Sequence, residues 1–199
     1  MNLPNKLTTL RVVLAFFFMV SLLVDFPFSK CLALFFFSLA SFTDMYDGVL
    51  ARKMKLESDY GKLLDPVADK ILVSIAFISF IAMPTTHLAA WIVIIIISRE
   101  LVVTGLRMLA LSKGEVLAAD TLGKTKTIFQ FSVIILILIL LTIREFLSLY
   151  SEYWSIAGPV IDMRIAQAAF WLTFFVMLVT VYSGIVYLYD NRKTYLSSM

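Results

Sequence analysis

The chain has 199 residues, of which 61% are hydrophobic, and a formal net charge of +3 at pH 7. A soluble domain averages roughly 45–50% apolar residues, so this composition argues against a water-soluble fold, and the length allows one domain over residues 1–199. Cys31 is the only cysteine and His87 the only histidine, which excludes an internal disulfide and leaves no basis for a cysteine cluster, a histidine triad or a zinc site.

Six apolar segments follow one another along the chain, and we interpret each as a membrane span. About 20 helical residues that rise 1.5 Å each cover a hydrocarbon core of about 30 Å. The segments cover residues 9–24, 30–52, 64–83, 88–111, 121–143 and 160–189. The sequence therefore predicts an all-α polytopic membrane protein with six transmembrane helices.

The basic residues are distributed unevenly between the two ends of these segments. An even number of spans places both termini on one side, and that side holds 14 of the 17 Lys and Arg residues. The other three, Lys30, Arg144 and Arg164, fall on the opposite side. Because cytoplasmic loops carry the excess of Lys and Arg, both termini are expected in the cytoplasm. Membrane orientation explains the positive charge better than a nucleic-acid partner does.

Four aspartates lie within or at the predicted cytoplasmic ends of two consecutive spans. Asp44 and Asp47 belong to the second span, and Asp65 and Asp69 to the third. If all four faced lipid, they would cost on the order of 10 kcal/mol, at roughly 2.5–3.5 kcal/mol each. Spacings of three and four residues place each pair on one helix face. Because a short loop makes the two helices antiparallel neighbours, the pairs are expected to converge inside the bundle.

Converging carboxylates with no nearby histidine or cysteine form a hard-oxygen site, which suits Mg²⁺ or Mn²⁺ bound together with substrate phosphates. The residues around the aspartates suit a ligand that carries phosphate. Gly48, Ala51 and Gly61 leave room for close approach to the backbone. Arg52 presents a planar fork to a phosphate oxygen.

Together these residues form a pattern that resembles the signature of the CDP-alcohol phosphotransferase family at every fixed position. The pattern reads Asp44-x2-Asp47-Gly48-x2-Ala51-Arg52-x8-Gly61-x3-Asp65-x3-Asp69. Upstream, Asn5-x2-Thr8-x2-Arg11 is similar to the lead-in of the same family. A pattern of this length is far more specific than most short motifs.

The resemblance implies a site and a reaction. The four aspartates would bind a divalent metal, Mg²⁺ or Mn²⁺, as two ions, and Asp69, with Asp65 beside it, would serve as the catalytic base. The cytidine diphosphate pocket would be lined by Asn5, Thr8, Asp44, Gly48, Ala51, Arg52 and Gly61. An alcohol would attack the lipid-linked phosphorus, and CMP would leave. The resemblance also implies a homodimer in the bacterial cytoplasmic membrane, with its active site facing the cytoplasm.

Basic residues in the fourth and fifth spans suggest which alcohol is used. Arg99 and Glu100 interrupt an apolar helix, and Arg107 follows Arg99 two turns later on a similar face. Lys124 and Lys126 open the fifth span. Cations around a cytoplasmic cavity suit an acceptor that carries its own phosphate, so we expect Arg99, Arg107, Lys124 and Lys126 to bind it. These segments are similar to those of bacterial phosphatidylglycerol phosphate synthases, which implies CDP-diacylglycerol as donor and glycerol 3-phosphate as acceptor.

Several alternatives stay open at this point. The same chemistry with inositol phosphate, serine or phosphatidylglycerol as acceptor keeps the aspartate site and changes only the role of the cations. A cation transporter also uses intramembrane aspartates, and a structural membrane protein needs none. Arg99 and Glu100 also fit a buried pair that fixes helix packing, and Lys126 fits a topology signal.

Overall fold

The computed structural model describes the backbone of residues 3–54, 59–112, 121–150, 152 and 154–192, and the side chains of residues 9–43, 70–110, 123, 125–150, 152 and 154–192. Within these ranges every regular element is an α-helix. The helices are α1 (Leu3–Leu23), α2 (Ser29–Met54), α3 (Asp59–Ala82), α4 (Ala90–Ser112), α5 (Thr121–Tyr150) and α6 (Trp154–Asp190). The predicted all-α class and the order of the helices are confirmed.

The helix ends differ from the predicted ones at several places. α1 begins at Leu3 rather than near residue 9, α5 continues to Tyr150 beyond residue 143, and α6 begins at Trp154 rather than near residue 160. The predicted limits followed hydrophobicity, whereas polar residues continue these helices. Arg144 of α5 and Asp162 of α6, for example, form a two-pronged ion pair, with Nε–Oδ1 and Nη2–Oδ2 distances of 2.8 and 3.0 Å.

Two helices of the described chain, Thr125–Tyr150 and Trp154–Asp190, are long and apolar enough to cross a membrane. Three further apolar stretches, Thr9–Leu23, Ser29–Thr43 and Lys70–Ala82, are shorter within the described residues. Large apolar side chains point outward along the bundle, including Trp171 in α6, which is 65% exposed. An apolar outer surface of this extent is consistent with a membrane protein.

The core of the bundle is built from aromatic side chains and small residues. α1 packs against α2 and α3, α6 packs against α4 and α5, and α2 packs against α5. Phe37 of α2 lies between Phe18 of α1 and Phe131 of α5, with ring centroids 5.4 and 5.7 Å away. Fully buried alanines such as Ala33 and Ala76 let neighbouring helix backbones approach closely.

One end of the bundle is held by a carboxylate that caps a helix. We call it the outer end, because the predicted extracytoplasmic loops lie there. Glu145 of α5 accepts hydrogen bonds from Ser29 Oγ and from the backbone N–H of Lys30, both at 3.1 Å. These groups belong to the first turn of α2, whose N–H groups lack partners within the helix. Glu145 therefore joins α2 to α5 at the outer end.

Candidate active site

The predicted catalytic motif lies on two helices that contact each other. α2 carries its first half and α3 its second half, and the two helices are in contact, as the short loop between them predicted. The side chains of Asn5, Thr8, Asp44, Asp47, Ala51, Arg52, Asp65, Asp69 and Lys124, and the surroundings of Gly48 and Gly61, lie outside the described residues. The convergence of the four carboxylates therefore stays a prediction. Among the described side chains, no group of three or more His, Cys, Asp or Glu residues can hold a metal.

A buried carboxylate, Glu100 of α4, is the centre of the described part of the site. The residue is 4% exposed. Its Oε1 accepts a hydrogen bond from Lys126 Nζ of α5 and lies 3.4 Å from Arg99 Nη1. Its Oε2 lies 3.3 Å from Lys70 Nζ of α3. We call Lys70, Arg99, Glu100 and Lys126 the Glu100 cluster; these four side chains comprise three cationic groups and one carboxylate.

Neutral polar groups on α5 and α6 hold the Glu100 cluster in place. Gln130 Nε2 of α5 donates to Glu100 Oε1 at 3.2 Å and lies 3.4 Å from Thr180 Oγ1 of α6. Arg99 Nη2 donates to Ser183 Oγ of α6 at 2.9 Å. Four helices therefore contribute to one buried polar network. Such networks are costly when incomplete and fix a single arrangement when satisfied.

Gly184 of α6 makes room for the Arg99 side chain. A Cβ atom at position 184 would lie 2.9 Å from Arg99 Nε and 3.0 Å from Arg99 Cγ. Both distances are shorter than the ordinary van der Waals separation of 3.4–4 Å. The absence of a side chain at position 184 therefore allows Arg99 to lie against α6.

The predicted acceptor residues that the structure describes occupy two different environments. Arg99 and Lys126 belong to the buried Glu100 cluster, with side chains 11% and 5% exposed. Arg107, in contrast, is exposed, and its guanidinium lies 5.6 Å from the centre of the Tyr187 ring. Arg99 contacts Ser183 of α6, and Arg107 contacts Tyr187 of the same helix. Ser183 and Tyr187 are about one turn apart. The structure thus places Arg99 and Arg107 along one side of α6.

Lys70 and Gln130 belong to this network but were not among the predicted site residues. Lys70 immediately follows Asp69 in α3, and its contact with Glu100 places the Glu100 cluster beside the helix that carries half of the motif. Gln130 lies one turn after Lys126 on the same face of α5. A glutamine in an apolar span was the available signal, but its partners on α4 and α6 are 30 and 50 residues away in sequence.

Of the three lead-in residues Asn5, Thr8 and Arg11, the structure describes the side chain of Arg11. Arg11 of α1 is only 2% exposed and is among the largest fully buried side chains. Because α1 packs against both α2 and α3, this segment lies on a helix that contacts both motif helices. The predicted nucleotide contacts of Asn5 and Thr8, about two turns and one turn before Arg11, remain predictions.

Comparison with known proteins identifies the family. The sequence model of the CDP-alcohol phosphatidyltransferase family matches residues 1–182. A relative from Bacillus subtilis (strain 168) named CDP-diacylglycerol–glycerol-3-phosphate 3-phosphatidyltransferase is 44% identical over 63% of this chain and 70% of its own length. Relatives with the same name from Rickettsia bellii (strain RML369-C) and Escherichia coli (strain K12) are 40% and 37% identical, over 69% and 65% of this chain and 75% and 72% of their own lengths. The chain therefore belongs to the CDP-alcohol phosphatidyltransferase family.

Proposed function

We propose that this protein transfers the phosphatidyl group of CDP-diacylglycerol to sn-glycerol 3-phosphate, giving phosphatidylglycerol phosphate and CMP. The names of relatives that are 37–44% identical support this reaction. The structural observation that carries the proposal is the Glu100 cluster, in which cationic side chains of α3, α4 and α5 meet at one buried carboxylate. Arginine and lysine side chains gathered at one place suit a ligand that carries phosphate.

The aspartate motif would perform the transfer. By the family pattern, Asp44, Asp47, Asp65 and Asp69 would hold two divalent ions, Mg²⁺ or Mn²⁺, which would offset charge on the diphosphate when bound. Four carboxylates on two contacting helices are the donor set that such an ion prefers. Asp69 would accept the proton of the attacking hydroxyl. A new bond forms between the alcohol oxygen and the lipid-linked phosphorus, the bond from that phosphorus to the CMP oxygen breaks, and the electron pair leaves with CMP.

The remaining motif residues would bind the nucleotide. Gly48, Ala51 and Gly61 leave space for the cytidine diphosphate to approach α2 and α3, and Arg52 can pair with a phosphate oxygen in a forked geometry. Asn5 and Thr8 of α1 would complete the pocket, because α1 contacts both helices. These residues would fix the donor so that its phosphorus faces the acceptor.

The acceptor phosphate would lie between α4, α5 and α6. Arg99 and Arg107 approach it from α4, and Lys124 and Lys126 from the start of α5. Lys126 is bonded to Glu100, so we assign it a shared role, in which its ammonium group faces both the carboxylate and the phosphate. An acceptor without a phosphate, such as serine, would leave the grouping of Arg99, Arg107 and Lys124 harder to explain.

The proposed arrangement in the cell follows from the charge distribution. All six helices would cross the bacterial cytoplasmic membrane, with both termini and the aspartate motif at the cytoplasmic side, where the excess of Lys and Arg lies. The protein would act as a homodimer. The outer end, with Glu145 and Arg144, would face away from the cytoplasm.

A cation transporter is the alternative from another functional class. A pathway for cations through a bundle requires an excess of acidic groups along it. In the described polar network, three cationic side chains surround one carboxylate. The described side chains therefore favour an anionic ligand.

The test is CMP release by the purified full-length protein in detergent with CDP-diacylglycerol and Mg²⁺. Glycerol 3-phosphate, inositol 1-phosphate, serine, phosphatidylglycerol and glycerol are offered separately. Release with glycerol 3-phosphate alone, abolished by EDTA and restored by Mg²⁺, is the expected result. Release with a different acceptor would retain the aspartate site and reject the proposed acceptor, and no release from folded protein would reject the enzymatic function.

A further inference from the structure

Tyr187, in the last turn of α6, carries a buried hydroxyl that the reaction proposed above does not use. The residue is 3% exposed, and its Oη has no hydrogen-bond partner within the described part of the chain. A buried polar group without a partner is costly, and native proteins retain few of them. Beside a binding site, a ligand that supplies the missing partner is a physical reason for retaining such a group.

A cation from the neighbouring helix lies over the Tyr187 ring. The Arg107 guanidinium of α4 is 5.6 Å from the ring centre. The Arg107 side chain is exposed, and it forms no ion pair with any residue that the structure describes. A guanidinium and a hydroxyl side by side provide several hydrogen-bond donors. This pair of groups suits a phosphate, whose three acceptor oxygens can accept from both side chains at once.

The end of α6 holds the backbone of Tyr187 in place. The Tyr187 carbonyl accepts hydrogen bonds from the Asn191 backbone N–H at 3.2 Å and from Asn191 Nδ2 at 2.8 Å. Carbonyls of the last helical turn lack partners within the helix and carry partial negative charge, which disfavours an anion nearby. Because Asn191 occupies this carbonyl, the Tyr187 hydroxyl can serve an anionic ligand with less opposition from the helix end.

From these contacts we infer that Tyr187 binds the acceptor: its hydroxyl donates a hydrogen bond to the phosphate of glycerol 3-phosphate, beside Arg107. This inference rests on the proposed function. In the ligand-free protein the hydroxyl is buried, so a ligand must displace a neighbour to reach it. The exposed Arg107 side chain leaves the ring as it pairs with the phosphate, and the hydroxyl then gains its partner. Tyr187 contributes binding and specificity, and it neither gives nor takes a proton in the transfer.

The direct test is Tyr187→Phe, which removes the hydroxyl and keeps the ring. Hydrogen bonds to charged groups contribute enough to change an equilibrium constant by roughly 10- to 100-fold. The variant is therefore expected to raise the KM for glycerol 3-phosphate about tenfold or more, and to leave kcat and the KM for CDP-diacylglycerol within about twofold. Its unfolding midpoint without substrates is expected to equal or exceed that of wild type, because a buried group without a partner has been removed.

Two other residues of α6 offer matched controls. Thr173 is fully buried, and its Oγ1 likewise has no hydrogen-bond partner among the described residues, but it lies about four turns, or about 21 Å, nearer the outer end. Tyr189 also has an arginine over its ring, with Arg192 Cζ 4.0 Å from the ring centre, but it is 64% exposed. Thr173→Val and Tyr189→Phe are both expected to keep the acceptor KM within twofold of wild type.

A phospholipid headgroup is a second source of phosphate at this end of the bundle. The unfolding midpoint of wild type and of Tyr187→Phe is therefore also measured in detergent with increasing phosphatidylglycerol. If the hydroxyl binds the acceptor, any rise of the midpoint with lipid is the same in both proteins. A rise that only wild type shows, together with an unchanged acceptor KM in Tyr187→Phe, would overturn the inference and assign the hydroxyl to a lipid.

The outcomes separate this inference from the function on which it depends. Wild-type protein that releases no CMP with glycerol 3-phosphate would reject the proposed function. Wild-type protein that uses glycerol 3-phosphate, together with a Tyr187→Phe variant whose acceptor KM stays within twofold, would overturn only the inference. A Tyr187→Phe protein that does not fold would also overturn it, because the hydroxyl would then serve the fold. So would an equal rise in acceptor KM in Thr173→Val or Tyr189→Phe.

Discussion

Replacing Gly184 by alanine tests whether the position of Arg99 controls acceptor binding. The added Cβ atom would lie 2.9 Å from Arg99 Nε, so Arg99 must move by about half an ångström to reach an ordinary contact distance of 3.4 Å. That movement displaces the guanidinium from Ser183 Oγ, which it reaches at 2.9 Å. The perturbation is small in volume and is directed at a single side chain.

The expected magnitudes follow from these contacts. A hydrogen bond made by a charged group contributes about 1.5–3 kcal/mol, so losing the Ser183 contact and misplacing Arg99 is expected to raise the KM for glycerol 3-phosphate roughly tenfold. The effect on stability is smaller. Overpacking costs about 1–3 kcal/mol, but alanine gains up to about 1 kcal/mol over glycine inside a helix.

Gly158→Ala is the control for Gly184→Ala. It is on the same helix, and its added Cβ atom would lie 2.8 Å from the Trp154 ring at the outer end. Acceptor-dependent CMP release and thermal unfolding in detergent are measured for both variants. Gly158→Ala is expected to lose stability and to keep the wild-type KM. The reasoning fails if Gly184→Ala keeps an acceptor KM within twofold of wild type, or if Gly158→Ala raises it equally.

Three further substitutions test other parts of the molecule. Asp69→Asn is expected to reduce CMP release at least 100-fold at saturating substrates, because general-base catalysis contributes about 10²–10⁴-fold; turnover near wild type would remove Asp69 as the base. Glu145→Gln is expected to lower the free energy of unfolding by about 1–2 kcal/mol. The glutamine keeps one acceptor oxygen, for which the Lys30 N–H and the Ser29 hydroxyl then compete. An unchanged unfolding midpoint would contradict the capping role. Gly105→Ala in α4, where a Cβ atom meets nothing within 4 Å, is expected to gain about 0.5–1 kcal/mol, and a lower midpoint would show that the added methyl group meets an unexpected neighbour.

The helices and the family were predictable from local patterns. Each apolar segment was long enough to predict one helix, and the aspartate signature depends only on spacing within α2 and α3. The helix ends were less predictable, because they depend on partners elsewhere in the chain. In the sequence, for example, Arg144 marks the end of an apolar span. In the structure it lies within a longer helix, where it forms an ion pair with Asp162.

The polar network around Glu100 could not be predicted for a related reason. Arg99 and Glu100 are conspicuous in an apolar helix, and Lys126 was noticed in the sequence. However, Ser183 is 84 residues from Arg99, and Lys126 is 26 residues from Glu100. Only the packing of α4 against α6 and the position of α5 bring them together. Spacing within one helix predicts a shared face, whereas partners across helices require the three-dimensional arrangement.

The cap that Glu145 provides also constrains the order in which the protein can assemble during synthesis. Lys30 N–H and Glu145 are 115 residues apart, and ribosomes add about 5–20 residues per second. The first turn of α2 is therefore made roughly 6–23 s before its partner exists. Until then its N–H groups need another acceptor, which the water at the membrane surface can supply and hydrocarbon cannot. The contact between α2 and α5 at the outer end can form only after α5 has been synthesised. The first four helices therefore cannot complete their packing at this end before α5 is present.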